Sequence, residues 1–502
     1  MTRSHEDRLL PRILGLAIAK GMDSAAIDAT GTDLIADALE RYFGFREFRR
    51  GQREVVEAIV EGRPTLAVMP TGAGKSLCYQ LPAMLLDGVT VVVSPLIALM
   101  KDQVDALRER GIAAAYINST VPLPEQRQAL DDAASGRLKL LYLTPERFRF
   151  GGAMAAIKRL PIALFAVDEA HCISSWGHDF RPDYMNLGNV VRELDVPRVA
   201  AFTATATAKV RIDIVDSLGF VDPTVKVAGF LRDNLHLAVT PIRKMKEKQV
   251  YLRQILDQAT GPAIVYCATR KNCEEVAHYV KAAGRPVATY HGGMADAARS
   301  DAQDRFQSVE NICIVATNAF GMGVDKANVR VVVHWDIPGS LDAYYQEAGR
   351  AGRDGKPAHC FLLFTYADTR IHEFFIDKGG EALAPDSRVA YAEMERSKLK
   401  AMVRYAYADE CRHGAILRYF GDRPERCGSG TGATCDNCNG DVGEIGLDAP
   451  KAGSLKPSIR DVRVEPRILT EDEEIIVQKV LSAVARSNGR LKKREICRVL
   501  RG

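Results

Sequence analysis

Three clusters of residues have the types and spacing to carry chemistry. Residues 69–76 read MPTGAGKS, directly after one apolar run and before another. Glycines at 72 and 74 let backbone N–H groups close around phosphate oxygens, and a helix N-terminus behind them adds its dipole. In such a loop Thr71, Gly72, Ala73 and Gly74 form the cradle, Lys75 reaches the β and γ phosphates, and the Ser76 hydroxyl ligates Mg²⁺. Met69 stands where the strict G-x-x-x-x-G-K-S pattern has glycine. The second cluster, Asp168, Glu169, Ala170 and His171, follows the apolar run 163–167. Adjacent carboxylates at a sheet's carboxyl edge can divide labour, Asp168 holding the metal and Glu169 positioning the attacking water. The third, YQEAGRAGRD at 345–354, places Arg350 and Arg353 three apart, where arginines from a facing domain would neutralise charge on a transferring phosphoryl group. Standing alone, the second would be a solvated strand end and the third a pair of surface arginines; coincidence with the phosphate loop favours chemistry.

A fourth cluster belongs to a metal. Of eleven cysteines, Cys411, Cys427, Cys435 and Cys438 crowd into 28 residues, and four thiolates satisfy tetrahedral Zn²⁺. The odd total and the scatter of the other seven argue against a secreted disulfide framework. His413 is a conceivable substitute ligand.

The elements that must position these groups alternate along the chain. Short runs rich in Val, Ile, Tyr and Phe at 65–69, 89–94, 138–143, 163–167 and 199–203, then at 263–267, 287–290, 312–316, 329–334 and 360–364, are separated by helical stretches. That rhythm predicts two α/β units with parallel sheets, joined within 230–248, where apolar periodicity lapses and Arg243, Lys244, Lys246 and Lys248 cluster. Leu34, Ala38 and Tyr42 share one face of a predicted helix. Beyond Tyr366 helices are expected over 397–407 and 410–420, then a loop rich in Gly, Cys and Asn. A linker over 440–466 and a helical segment at 471–485 lead to Arg486, Arg490, Lys492, Lys493, Arg494, Arg498 and Arg501, opposed only by Glu495, which suits a polyanion or a solvated helix face equally.

Composition sets outer bounds. With 502 residues, 47% hydrophobic and 26% charged, the chain reads as a folded protein of about three domains. The apolar run 88–100 is broken by Ser94 and Pro95 and is too short to span a bilayer, and Glu6, Asp7 and Pro11 spoil a signal peptide. No membrane association and a cytoplasmic location are expected. The net charge of +4 says little about partners.

Taken together, MPTGAGKS, DEAH at 168–171, FTATAT at 202–207, VATNAFGMGVDK at 315–326 and QEAGRAGRDG at 346–355 resemble, in order, the motifs of superfamily 2 helicases. FGFREFRRGQ at 43–52 and CISSWGHDFRPDY at 172–184 are similar to elements of the RecQ family of DNA helicases. The resemblance implies two tandem RecA-like parallel-sheet domains, a small helical zinc-binding subdomain and a partial winged-helix segment. The corresponding limits are an unassigned extension at 1–30, domain 1 at 31–238, domain 2 at 239–370, the zinc-binding subdomain at 371–445, a linker at 446–466 and the winged-helix-like segment at 467–502. It implies that Phe45 stacks on adenine, Gln52 reads the base edge and Arg49 supports the site. Gln346 joins the hydrolytic set. Trp176, Phe180 and Arg181 offer stacking faces and a cation beside the carboxylates, while Thr203 and Thr205, with Ser94, Pro95, Thr144 and Pro145, would offer hydroxyls and N–H groups to a DNA backbone.

In this reading the cofactors are ATP, Mg²⁺ and Zn²⁺. The substrates are single-stranded and tailed DNA, tracked 3′ to 5′ in repair and recombination, with single-strand-binding protein and recombination factors as partners. Two departures stand out. GSGTGAT separates Cys427 from Cys435 where the family has two residues, and the sequence stops before a recognition helix, wing or helicase-and-RNaseD-like C-terminal (HRDC) domain. Either the protein is a naturally short relative or the sequence is incomplete; if it is complete, translocation with weak opening of long duplexes is expected. The alternatives are an RNA helicase, since RNA offers the same phosphate track and stackable bases, and a nucleic-acid-binding scaffold switched by ATP.

Overall fold

The computed structural model describes residues 33–70, 72–95, 97–177, 181–321, 326–381, 384–428 and 432–439. Two seven-stranded parallel sheets organise them. The first contains β1 (Thr65–Val68), β2 (Val89–Val93), β3 (Ala114–Ile117), β4 (Leu140–Leu143), β5 (Ile162–Val167), β6 (Val199–Thr203) and β7 (Thr224–Val227), in the order β3-β4-β2-β5-β6-β1-β7. The second contains β8 (Leu235–Pro241), β9 (Ala263–Tyr266), β10 (Val287–Tyr290), β11 (Cys313–Ala316), β12 (Val331–His334), β13 (Ala358–Phe364) and β14 (Thr434–Cys435), in the order β10-β11-β9-β12-β13-β8-β14. Counted from its own first strand, each sheet has the same order. Strands β1, β2, β4, β9, β11 and β12 are buried along their whole length. Helices cover both faces of such a sheet, so its strands are unbroken apolar runs rather than alternating ones, which is why the sequence displays them.

The strands that composition hides are the informative exceptions. β3 is AAYI, poor in β-branched residues, and it forms through pairing with β4. β7 is a half-exposed edge strand, TVKV. β8 corrects the sequence-based boundary at 238/239: Leu235–Pro241 pairs along its entire length with β13 and belongs wholly to the second sheet. Its polar His236 and Thr240 break the apolar run, so the segment reads as a joint. The cationic stretch behind it begins helix Met245–Gln258. β14 pairs with β8 through Thr434↔His236 and Cys435↔Leu237, so the cysteine-rich region completes the second sheet at the position β7 holds in the first.

After β13 the chain is helical, at Thr369–Gly379, Pro385–Tyr407 and Arg412–Tyr419. Near the start, Leu34 and Ala38 are buried in Leu34–Ala38, while Tyr42 lies in the π-helical turn Leu39–Phe43. Among the described residues no helix is long and apolar enough to cross a membrane. The extension at 1–30, the linker, the segment at 467–502, the helix expected at 471–485 and the basic run lie outside the described residues, as do Thr71 and Phe180.

Candidate active site and metal centre

The carboxyl ends of β1 and β5 open on a cleft of about 580 Å³ that residues of both sheets line. Lys75, Ser76, Asp168, Glu169, Gln346, Arg350 and Arg353 all face it. Gly72 and Gly74 have φ of +86° and +78°, in the left-handed region. A Cβ on Gly74 would stand 2.6 Å from Gln52 Nε2. That contact shows what Gln52 does here: its Nε2 donates to the carbonyls of Ala73 and Gly74 at 3.0 and 3.2 Å, and its Oε1 accepts from the Arg49 N–H at 2.8 Å. Arg49 also donates to the Gly72 carbonyl. Gln52 is buried behind the loop and braces it, so reading a base edge would require those bonds to be exchanged. Phe45, 47% exposed at the rim of the cleft beside Arg110, remains available for stacking.

Asp168 is buried at the end of β5, its N–H bonded to the Val93 carbonyl and its own carbonyl accepting from the Tyr184 hydroxyl at 3.0 Å. Burial, with Glu169 alongside, pushes its carboxyl up to about 7, against the pull of Lys75. A divalent cation is the partner such a carboxyl lacks. Ser76 Oγ, held by Gln103 Nε2 at 3.0 Å, lines the same cleft, so the donor set fits Mg²⁺. Glu169 follows with φ +48° and ψ +44°, a strained conformation for a residue with a side chain and one that clusters at functional sites.

From Glu169 a chain of contacts runs to the other sheet. His171 Nδ1 lies 3.3 Å from Glu169 Oε2 and 2.9 Å from Thr203 Oγ1. The Thr203 hydroxyl donates to the Thr205 carbonyl at 3.0 Å, so the imidazole is the donor to Thr203. Gln346 Nε2 donates to Thr205 Oγ1 at 3.2 Å across the cleft. Thr203 and Thr205 are buried, and their hydroxyls take part in this chain of contacts. Ser94 and Thr144 are buried as well.

Helix Leu341–Ala348, capped by Ser340 Oγ accepting from the Ala343 N–H, carries Gln346 and feeds the turn that bears the arginines. Arg353 packs on the phosphate loop: a Cβ on Gly72 would sit 3.8 Å from its Cγ. Arg350 is buried beside Gly321, and its Nε finds no acceptor among the described residues, a donor suited to an anion. Sequence reasoning missed what holds this turn. Arg232 donates to the carbonyls of Gly349, Ala351 and Gly352, and Asn234 to those of Gly352 and Lys356. These partners lie more than a hundred residues upstream, so no local pattern announces them. On the nucleic-acid side, Trp176 is 36% exposed with Lys209 Nζ 5.0 Å above its ring, and Arg181 donates to the Pro95 carbonyl at 3.1 Å.

The four cysteine sulfurs lie within 4.8 Å of one another, with Cys411 and Cys427 3.3 Å apart. Tetrahedral Zn²⁺ with bonds of about 2.3 Å sets sulfurs roughly 3.8 Å apart, so the cluster fits zinc. The hydrogen bond from Cys427 brings the Cys435 thiol down to about 5, towards the thiolate a metal needs. His413 is turned away, its Nε2 facing the carbonyls of Leu235 and Thr434, which removes it as a substitute ligand. Between Cys435 and Cys438, Asp436 is gripped by Arg412 with two bonds of 2.9 and 3.0 Å and accepts from the Val239 N–H.

Three family profiles match in succession: DEAD/DEAH box helicase over residues 49–213, helicase conserved C-terminal domain over 247–355, and RecQ zinc-binding over 366–439. The ATP-dependent DNA helicase RecQ of Bacillus subtilis is 43% identical over 80% of this chain and 66% of its own length; that of Pasteurella multocida is 38% identical over 93% and 68%. The chain thus spans about two thirds of the length of these relatives. Among solved structures, Mycobacterium smegmatis helicase Lhr bound to ssDNA and AMP-PNP superposes with a TM-score of 0.53 at 19% identity, covering 73% of this chain and 57% of that one. Mss116p bound to ssRNA and AMP-PNP gives 0.55 at 17%, covering 81% and 91%. At those identities they establish the fold, two RecA-like domains in tandem. The zinc-binding match and the identity to the bacterial proteins go further: this chain belongs to the RecQ family of helicases.

Proposed function

We propose that this chain is an ATP-dependent DNA helicase that hydrolyses ATP between its two lobes and uses the cycle to move along single-stranded DNA, 3′ to 5′, in repair and recombination. The observation that carries the reading is the single cleft to which one lobe brings Lys75, Asp168 and Glu169 and the other brings Gln346, Arg350 and Arg353. Hydrolysis then depends on lobe closure, and closure and opening are what step a two-lobed motor along a strand. Phe45 stacks on the base, and Arg49 and Gln52 brace the loop formed by Thr71, Gly72, Ala73 and Gly74. Lys75 holds the outer phosphates, Glu169 orients the attacking water, and Arg350 and Arg353 stabilise the charge that develops. Ser76 and Asp168 are the residues to hold Mg²⁺, which when bound neutralises phosphate charge. Trp176, Phe180 and Arg181 receive the DNA, and Thr203 and Thr205 relay its presence to Gln346. Cys411, Cys427, Cys435 and Cys438 hold structural zinc.

Single-stranded and tailed DNA are the proposed substrates, met in the cytoplasm together with single-strand-binding protein and recombination factors. DNA is preferred over RNA because the relatives at 38–43% identity are named as DNA helicases. Steady-state hydrolysis measured with no nucleic acid, single-stranded DNA, matched RNA and blunt duplex tests this. Strong stimulation by single-stranded DNA alone is expected; equal stimulation by RNA would replace the reading with an RNA helicase, and hydrolysis that ignores every nucleic acid would overturn both.

A further inference from the structure

The loop that follows the DEAH box is held from outside its own lobe. Lys398 lies on helix Pro385–Tyr407, within the zinc-binding match, yet it is buried. Its ammonium donates to the Gly177 carbonyl at 2.9 Å, the Ser175 carbonyl at 3.4 Å and Glu395 Oε1 at 2.8 Å. An ammonium has three donors, and all three are used. The two carbonyls flank Trp176. The loop has little slack elsewhere: a Cβ on Gly177 would meet the His171 carbonyl at 2.2 Å, and Ser174 Oγ accepts from the Trp176 N–H while donating to Asp213. The same region also grips the helix that carries Gln346. The Tyr419 hydroxyl donates to Asp342 at 2.6 Å, and that of Tyr405 to Tyr344 at 3.4 Å.

We propose that Lys398 is a positioning residue that ties loop 174–177 of the first lobe to the zinc-binding region and thereby couples occupancy of the Trp176 face by single-stranded DNA to ATP hydrolysis. The coupling rests on the DNA-driven hydrolysis proposed above. Its physical basis is the expense of stranding a buried cation: the loop cannot shift while Lys398 stays, because the ammonium would lose two of its three acceptors with no water to replace them. Loop and zinc-binding region therefore move together. Ser174, three residues past His171, transmits that movement to the chain ending at Gln346.

The chain has two tryptophans, and Trp335 is buried, so Trp335→Phe leaves Trp176 as the reporter. In that background, Lys398→Met and Lys398→Arg are compared by Trp176 emission and acrylamide quenching without DNA, and by ATP hydrolysis over a titration of single-stranded DNA. For Lys398→Met the emission should move to the red, quenching should rise, and the DNA concentration for half-maximal stimulation should increase roughly tenfold, about the worth of one charged hydrogen bond. DNA-free hydrolysis and zinc content should stay at the parent level. Lys398→Arg, which keeps the cation, should recover part of both effects, and it decides the matter by the same two readings if the methionine variant fails to fold. Parent-like emission and half-saturation in the variants would overturn the proposal whatever their melting temperature. A parent protein whose hydrolysis ignores DNA would instead remove the functional reading, with Trp176 emission still deciding whether the tether exists.

Discussion

In the first lobe a lysine follows the first strand and an aspartate the fifth, and both open on the nucleotide cleft as Lys75 and Asp168. The second lobe, with the same strand order, also sends a lysine from the helix after its first strand and an aspartate from the end of its fifth, but these two close on each other. Lys248 is fully buried, with Nζ 3.6 Å from Asp336 Oδ1 and 2.8 Å from Asp368 Oδ2, and it donates to the Trp335 carbonyl. The difference lies in the connections. After β1 the chain turns through Gly72 and Gly74 and leaves a cradle; after β8 residues 242–247 contain no glycine and run straight into a helix. Asp368 then supplies the anion that a ligand would bring, and burial pushes its carboxyl up to about 6 despite the lysine. One scaffold thus yields a site where the pair is left open and a rivet where it is filled.

If the second lobe contributes charge rather than a cradle, Arg353→Ala should lower the DNA-stimulated turnover by about a thousandfold or more while nucleotide binding persists. Steady-state rates beside nucleotide titration check this, and lost binding with a normal residual rate would break the division of labour. Glu169→Gln should reduce turnover by roughly 10²–10⁴-fold through loss of the water-orienting carboxylate, with DNA binding retained in a filter or anisotropy assay. Cys435→Ser should drop the zinc-to-protein ratio from about one to near zero and lower stability by several kcal/mol, because the same residue pairs β14 with β8. Metal analysis with urea unfolding reads both.

The smallest expected effect is acid sensitivity at that seam. Burial, aided by His359 in the case of His236 and by Arg330 in the case of His359, lowers both to about 4, against an ordinary value near 6.5. The folded protein then binds fewer protons than the unfolded chain between those values. Stability therefore rises with pH across about 4 to 6.5 and is lost as pH falls, on the order of 1–2 kcal/mol per histidine at pH 5. Urea midpoints at pH 7 and pH 5 should diverge, and His236→Asn should narrow the gap.

The same contrast explains what could be read from sequence. Strands buried on both faces show themselves as apolar runs, and nine of the ten located from sequence are of that kind, β10 being a half-exposed edge strand. The cleft residues were legible because phosphate chemistry demands glycines, a lysine and paired carboxylates within a few positions. β8 and β14 were not, since His236 and Thr240 interrupt one and the other is two residues long. Thr203 and Thr205 read from sequence as strand-end hydroxyls; their contacts with His171 and Gln346 come from distant elements and show only in the structure. Arg232, Asn234, Lys248 and Lys398 act through residues 80 to more than 200 positions distant, where no local pattern reaches.

The most direct test sets Lys75→Met beside Lys248→Met and measures ATP turnover and urea unfolding for both. Lys75→Met should lose turnover by roughly a hundredfold or more with unfolding unchanged, and Lys248→Met should lose about 3–5 kcal/mol of stability while the protein still folded hydrolyses ATP at the parent rate. Turnover surviving in Lys75→Met, or vanishing in a Lys248→Met protein of undiminished stability, would contradict the account.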